Sequence, residues 1–263
     1  MRLVWGTVEA VVADHGDAAI LAVALDDPAG STGRAIAYAR LCGPIAVGDR
    51  VLLNTTAVDL SLGTGGVHFV VARAPSTEAP RGVAVDSPSG GHIMKLRYTP
   101  LQVDVHAAEE DGAPGAESHE DADIDGMPVV CCGLHSQFPV VSAALKLERP
   151  DARIAYCMTD EAAPPMALSD AVRNALAAGL VDITVTCGQA FGGGIESVNL
   201  HSGLLAAKRS GCTHAVVAIG PGVVGTGSAF GHGGIAQGES INAVSAVGGS
   251  PVACLRLSFA DAR

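Results

Sequence analysis

Four side chains able to carry a proton or attack a substrate stand beside turn residues in the second half of the chain: His135, Asp160, Cys187 and Glu196. Histidine and carboxylates trade protons when their surroundings tune them, so His135, Asp160 and Glu196 are the candidates for general acid–base work. The most specific stretch is Gly220–Gly234, GPGVVGTGSAFGHGG, in which seven of fifteen residues are glycine. Such a loop gives up side-chain packing and loses backbone entropy when ordered. A spacer between a strand and a helix needs only about two to six residues. The physical return is access, because a ligand can approach the main chain closely. Backbone N–H groups beside a helix N-terminus suit an anion. Gly220, Gly222, Gly225, Thr226, Gly227 and His232 are therefore candidate ligand-binding residues.

Competing readings of these stretches stay open. Gly220–Gly225 fits G-x-G-x-x-G, but a dinucleotide fingerprint wants a helix at once, and nine further loop residues intervene here. No G-x-x-x-x-G-K-[ST] occurs. A loop used for tight packing or a subunit contact is the alternative to an anion cradle. Gly192, Gly193 and Gly194 form a second glycine turn, and Glu196 is expected just after it in the first turn of a helix spanning 195–211. A carboxylate there suits the helix dipole. Asn199, three residues on, would share its face and help hold a hydroxylated ligand. Ser136 and Gln189 complete the polar residues at strand ends. Cys187 reads as a buried thiol or a nucleophile, with no Cys/His spacing to decide. No H-x-x-x-H or Cys/His cluster is present, so no metal is expected and no cofactor is assigned.

These residues need a scaffold that brings loops together. From Met127 onward, apolar runs at 127–133, 153–160, 182–188, 213–219 and 251–259 alternate with helical patterns at 139–150, 166–179, 195–211 and 235–247. That alternation predicts a Rossmann-like parallel sheet flanked by helices over 127–263. Near-continuous apolar strands fit a sheet covered on both faces. Ligands in such sheets collect at the carboxyl ends of the strands, where the candidate residues lie.

The first 75 residues differ. Short β-branched runs at 3–12, 18–25, 34–41, 49–60 and 67–74 are separated by turn signals, which predicts a small antiparallel β-barrel over 1–75. Asp59 and His68 are expected on a solvated strand face. Residues 76–126 read as a linker with one or two strands, Pro/Gly/Ser-rich at first. Residues 109–125 carry eight Asp or Glu and no Lys or Arg, which reads as a mobile, solvated surface loop.

Composition narrows the partners. The formal net charge is −11, with 16 Lys+Arg and no basic cluster, and aromatic content is 3%. Both argue against nucleic acid. Mean hydropathy is +0.35, but no window approaches a membrane span, and the N-terminus lacks a signal-peptide layout. A cytoplasmic protein is expected, with a small-molecule or anionic ligand and a homo-oligomeric state. Seven cysteines, an odd number, suit reduced thiols. Cys131, Cys132, Cys157 and Cys254 sit in apolar runs and are expected to be buried.

The stretches MTDEAAPPMALSD, AFGGGIESVN, IGPGVVGTGSAFG and SFADAR, with GHIMKLRYTPLQ at 91–102, resemble the bacterial domain of unknown function 3866. The resemblance covers nearly the whole chain. It implies no biochemical activity. The chain departs from that family's pattern at Gly194, where an acidic residue usually stands. The resemblance also implies an Arg/His-rich segment following SFAD.

Overall fold

The structure is a computed structural model that describes residues 1–61, 66–74, 90–116 and 122–257. The sequence reading of a Pro/Gly/Ser-rich linker falls mostly on 75–89, outside the described residues. The chain divides into two compact units, one of Met1–Pro88 with Leu96–Val103 and one of Ser89–Lys95 with Asp104–Arg263.

The first unit is a closed five-stranded barrel. Its strands are β1 (Leu3–Asp14), β2 (Ala18–Leu25), β3 (Thr32–Tyr38), β4 (Arg50–Asn54) and β5 (Val67–Ala74), in the order β1-β2-β3-β5-β4 and back to β1. One-turn helices α1 (Ala39–Cys42) and α2 (Thr56–Asp59) follow β3 and β4. The barrel is not wholly antiparallel, because β3 and β5 pair in parallel. Order and parallel pair together are those of an OB-type Greek-key barrel. β1 serves two neighbours, and its register shifts at Val8/Ala10 and Val11/Ala13. Such bulges bend a long strand so that it can close a barrel. Val8, Leu21, Val23, Val51 and Leu53 fill the interior. His68 is buried with them rather than solvated, and its Nδ1 has no partner among the described residues. The expected solvated face fails here because the barrel closes over it. Burial holds the His68 imidazole below its ordinary pKa.

β6 (Ile93–Lys95) and β7 (Val103–Val105) make a two-stranded sheet. The rest of the second unit is a six-stranded parallel sheet flanked by helices. In chain order it holds β8 (Pro128–Cys132), α3 (Phe138–Glu148), β9 (Ile154–Thr159), α4 (Asp170–Ala177), β10 (Ile183–Thr186), β11 (Ile195–Glu196), α5 (Leu200–Arg209), β12 (His214–Ile219), α6 (Ala236–Ala246) and β13 (Ser250–Cys254). Across the sheet the order is β11-β10-β9-β12-β8-β13.

Alternation along each strand builds two cores. Ile154, Tyr156 and Met158 of β9 face Phe138, Val172 and Ala175 on α3 and α4. Ala155 and Cys157 face the opposite way, toward Leu204, Ala206, Ala207 and Val244 on α5 and α6. Strands buried on both faces read as unbroken apolar runs, as this sequence does.

β11 is the departure from the sequence reading, which placed a helix from residue 195. Ile195 and Glu196 instead pair in parallel with Val185 and Thr186. The helix waits until Leu200, after Asn199 has capped it by accepting from the Ser202 N–H at 3.1 Å. Burial of Ile195 and Glu196 against the sheet overrides a weak local helical preference. The acidic segment is also not simply solvated. Glu109 accepts from the Val198 N–H, and Glu110 from those of His92 and Ala107. Residues 117–121 of that segment lie outside the described residues. No helix among the described residues is long and apolar enough to cross a membrane.

Phe138 is fully buried at the start of α3 and stacks on Tyr156 with ring centroids 4.0 Å apart. Phe138→Ala is expected to lower stability by about 3–5 kcal/mol. Chemical denaturation checks this, and a loss under about 1 kcal/mol would show that the stack does not hold the α3 face.

Candidate functional site

The direction in which each strand hands over to its helix creates the site. β8 leads to α3 on one face, and its neighbour β12 leads to α6 on the other. Beyond two adjacent strands whose connections leave to opposite faces the chain must part, and a crevice opens at the carboxyl edge. A cleft of about 770 Å³ lies there, in the size range of small-molecule sites. Gly133, Leu134 and Gln137 after β8 form one wall, and Cys254 at the end of β13 with Leu255 and Arg256 beyond it form another. The glycine loop supplies Thr226, Gly227 and His232, and the start of α6 supplies Gln237 and Gly238.

Glutamines fix the floor. Gln237 Nε2 donates to the carbonyls of Cys131 at 2.6 Å and Cys254 at 2.9 Å, tying β8 to β13. Gln137 Nε2 donates to the Cys254 Sγ at 3.2 Å, while its Oε1 accepts from the Leu134 N–H. The glycine loop folds on itself. Gly225 and His232 form an antiparallel bridge, Thr226 N–H donates to the Gly231 carbonyl at 2.7 Å, and Gly233 N–H to that of Val224. His232 Nδ1 accepts from the Gly234 N–H at 3.0 Å, which places the proton of the neutral ring on Nε2. Several loop amides are thus spent on its own turns rather than held open for an anion. Gly222 alone among the expected loop glycines has a left-handed φ, +84°. Gly220 is explained by packing, since a Cβ there would meet the Ala163 carbonyl oxygen.

The expected catalytic residues fall into three separate groups. His135 turns inward at the end of β8. Its Nδ1 donates to the Ile219 carbonyl at 3.2 Å and its Nε2 accepts from the Ser169 hydroxyl at 2.7 Å, with the Tyr156 hydroxyl 2.9 Å from Nδ1. Ser169 caps α4 by accepting from the Val172 N–H. The imidazole thereby clamps the ends of β8 and β12 to α4, and burial holds it below its ordinary pKa. Its sequence neighbour Ser136 is exposed. Asp160 Oδ2 accepts from the Gln189 N–H at 2.5 Å and crowds Gly188, whose φ of +66° leaves the carboxylate its place.

Glu196 lies at the far edge, three strands from β12 and so about 14 Å from it. It is not in a helical turn. Its carboxylate accepts from Thr186 Oγ1 at 2.6 Å and from the Gly192 N–H at 2.7 Å. A Cβ on Gly193 would strike Thr186, so the glycine turn is shaped around this carboxylate. Lys95, fully buried, donates from Nζ to the Ser197 carbonyl at 2.7 Å and stands 3.6 Å from Glu196 Oε2. Burial lowers the Lys95 pKa, opposed by the Glu196 charge. Cys187 is buried beside them, its thiol pushed up to about 12 by burial, as a packing thiol requires.

Lys95, Tyr156, Ser169 and Gln237 were missed by the sequence reading. Ser169 before Asp170 is an N-cap signal, obscured because the apolar pattern begins at Met166. Lys95 carries no local signal, because its partner is 101 positions away in sequence. Among the described residues no group of three His, Cys, Asp or Glu side chains converges to hold a metal ion.

Comparison with known proteins gives one family. The model of a family described as "Protein of unknown function (DUF3866)" matches residues 34–263. No curated protein and no solved structure matches the chain.

Two outcomes follow from the buried groups. Lys95→Met leaves the Glu196 carboxylate buried without its cation and is expected to cost about 3–5 kcal/mol, whereas Lys95→Met with Glu196→Gln recovers much of that loss. A double-mutant cycle by urea denaturation measures it, and purely additive losses would refute the pairing. Because the folded protein holds His135 below about 6.5, its ordinary value, the unfolded chain takes the proton first as pH falls. Stability should therefore be full above that value and decline below it. His135→Gln should flatten the decline, leaving a residue from His68 and His214, which burial also lowers. An unchanged slope in a pH series of melting temperatures would remove His135 as a source.

Proposed function

The chain belongs to the protein family of unknown function DUF3866, and from that footing we propose that it is an enzyme acting on a small, polar, anionic molecule of the phosphate or carboxylate class. The molecule sits in the crevice beyond β8, β12 and β13. The observation that carries this reading is the coincidence of the 770 Å³ cleft with the point where β8 and β12 send their helices to opposite faces. The first turn of α6 brings its positive dipole end to the cleft, and Arg256 adds a cation to the opposite wall. His232, whose ring proton sits on Nε2, is the residue that would give a hydrogen bond to the ligand. His135 and Glu196 serve the scaffold in this reading.

Gly238 supports it. Glycine inside a helix costs about 1 kcal/mol relative to alanine. Gly238 lies within α6, has open space where a Cβ would be, and lines the cleft. The open position keeps the helix backbone within reach of a ligand.

A second reading, a non-catalytic assembly role, draws on the same loop. Val224 is 72% exposed and Phe230 88%, which suits a contact with a second copy of the chain.

A thermal-shift screen of phosphate, sulfate, phosphosugars, nucleotides and small dicarboxylates tests the first reading. A ligand at about 100 times its Kd adds about 2.7 kcal/mol and raises the melting temperature by several degrees. Gly227→Val should fold normally, since open space surrounds its Cβ position, while its side chain intrudes on the cleft beside the loop backbone and weakens the shift. Gly238→Ala should raise the stability of the unliganded protein by about 0.5–1 kcal/mol and weaken the ligand. No stabilising anion, or equal binding by folded Gly227→Val, would overturn the ligand reading. Dissociation of an oligomer by Phe230→Ser would then favour the assembly role.

A further inference from the structure

We propose that Cys132 and Cys254 are a redox couple that closes into a reversible disulfide on the wall of the crevice. The couple stands on geometry independent of any ligand. All seven cysteines are free thiols. β13 pairs in parallel with β8, and Cys254 lies directly opposite Cys132 in that register. Neighbouring strands run about 4.8 Å apart, inside the window of roughly 4.4–6.8 Å that disulfides span between Cα atoms. Both side chains lie on the same face, since Cys254 packs against the cluster that contains Cys132. Beside burial, the Cys254 thiol next to that of Cys132 helps push the Cys132 pKa up. Cys131, one residue earlier, points to the opposite face and into the other core.

The two sulfurs differ in a way that assigns their roles. Cys254 is the one cysteine of the seven that is not buried, and it lines the cleft. The Gln137 amide donates to its Sγ and holds the sulfur at the cleft wall. Cys132 is buried, and burial holds its thiol well above the ordinary value. Cys254 is therefore the attacking thiol and Cys132 the resolving one. Cys254 ends an edge strand that, among the described residues, pairs on one side only, so no second neighbour holds it against closure.

The co-reactant is a low-molecular-weight disulfide such as oxidised glutathione. The Cys254 thiolate attacks one of its sulfurs, its S–S bond breaks, and one small thiol leaves. Cys132 then gives up its proton, its sulfur attacks Cys254, and the second small thiol leaves. Two protein thiols are oxidised by two electrons, and the small disulfide is reduced to two thiols.

To test this, the folded protein is incubated with oxidised glutathione, quenched in acid, alkylated, and mapped by peptide mass spectrometry without reduction. Fragment ions separate Cys131 from Cys132. The expected result is a Cys132–Cys254 cross-link that dithiothreitol reverses and that persists in Cys131→Ser. In Cys132→Ser, glutathione should remain on Cys254. Should that variant fail to fold, the wild-type map decides alone. Wild-type protein that keeps glutathione on Cys254 with Cys132 free, that does not react, or that links another pair would overturn the proposal. Failure here leaves the anion screen untouched, because the cross-link is read by mass spectrometry and the anion by melting temperature of the reduced protein, so the two readings fail separately.

Discussion

A parallel sheet buried on both faces is the constraint from which the rest of the second unit follows. Each strand must present apolar side chains up and down, and each connection must cross a face to return. The chain meets this by covering one face with α3 and α4 and the other with α5 and α6. It first steps outward from β8 to β9, β10 and β11, then returns to lay β12 between β9 and β8 and ends on β13. Reversal of direction is what opens the crevice at the carboxyl edge. The cleft is thus a consequence of covering two faces with one chain, and the glycine loop lies at its mouth because β12 is the strand inserted on the return.

Polar groups that this arrangement buries are held by specific partners rather than left for solvent. His135 joins two strand ends to α4 through Ile219 and Ser169. Asp160 fixes the turn after β10. Lys95 and Glu196 bind the sheet's far edge, where Ala107 and Ala108 bridge to the outer side of Glu196. An exposed parallel edge would invite other chains. The segment from 104 to 110 covers it, and Glu109 anchors that cover through Val198. These groups look like catalytic candidates in sequence because the same residue types serve buried hydrogen-bond networks.

The barrel obeys a different rule. Closure removes edges, so every strand has two neighbours and the bulges of β1 supply the curvature. The interior is small and aliphatic, and His68 is carried inside with it.

The sequence by itself determined the two architectures, because period-2 runs with turns and unbroken apolar runs with intervening helices are local patterns that burial on one face or on two imposes. It marked the end of α4 at Gly179 and of α5 at Gly211, both with left-handed φ, since only local sterics act there. It marked the carboxyl edge and the loop that lines the cleft. Tertiary structure decided what local signals cannot carry. Ile195 and Glu196 became a strand because β10 offered them hydrogen bonds and burial. Glu196 found Lys95, His135 found Ser169, and Cys254 came to lie against Cys132, each across a long stretch of chain. The insertion of β12 between β9 and β8 also belongs to tertiary structure, because strand order is settled by which faces remain uncovered when the chain returns. The cleft exists for that reason: the loop is legible in the sequence, but the strand order that sets it beside the ends of β8 and β13 is not.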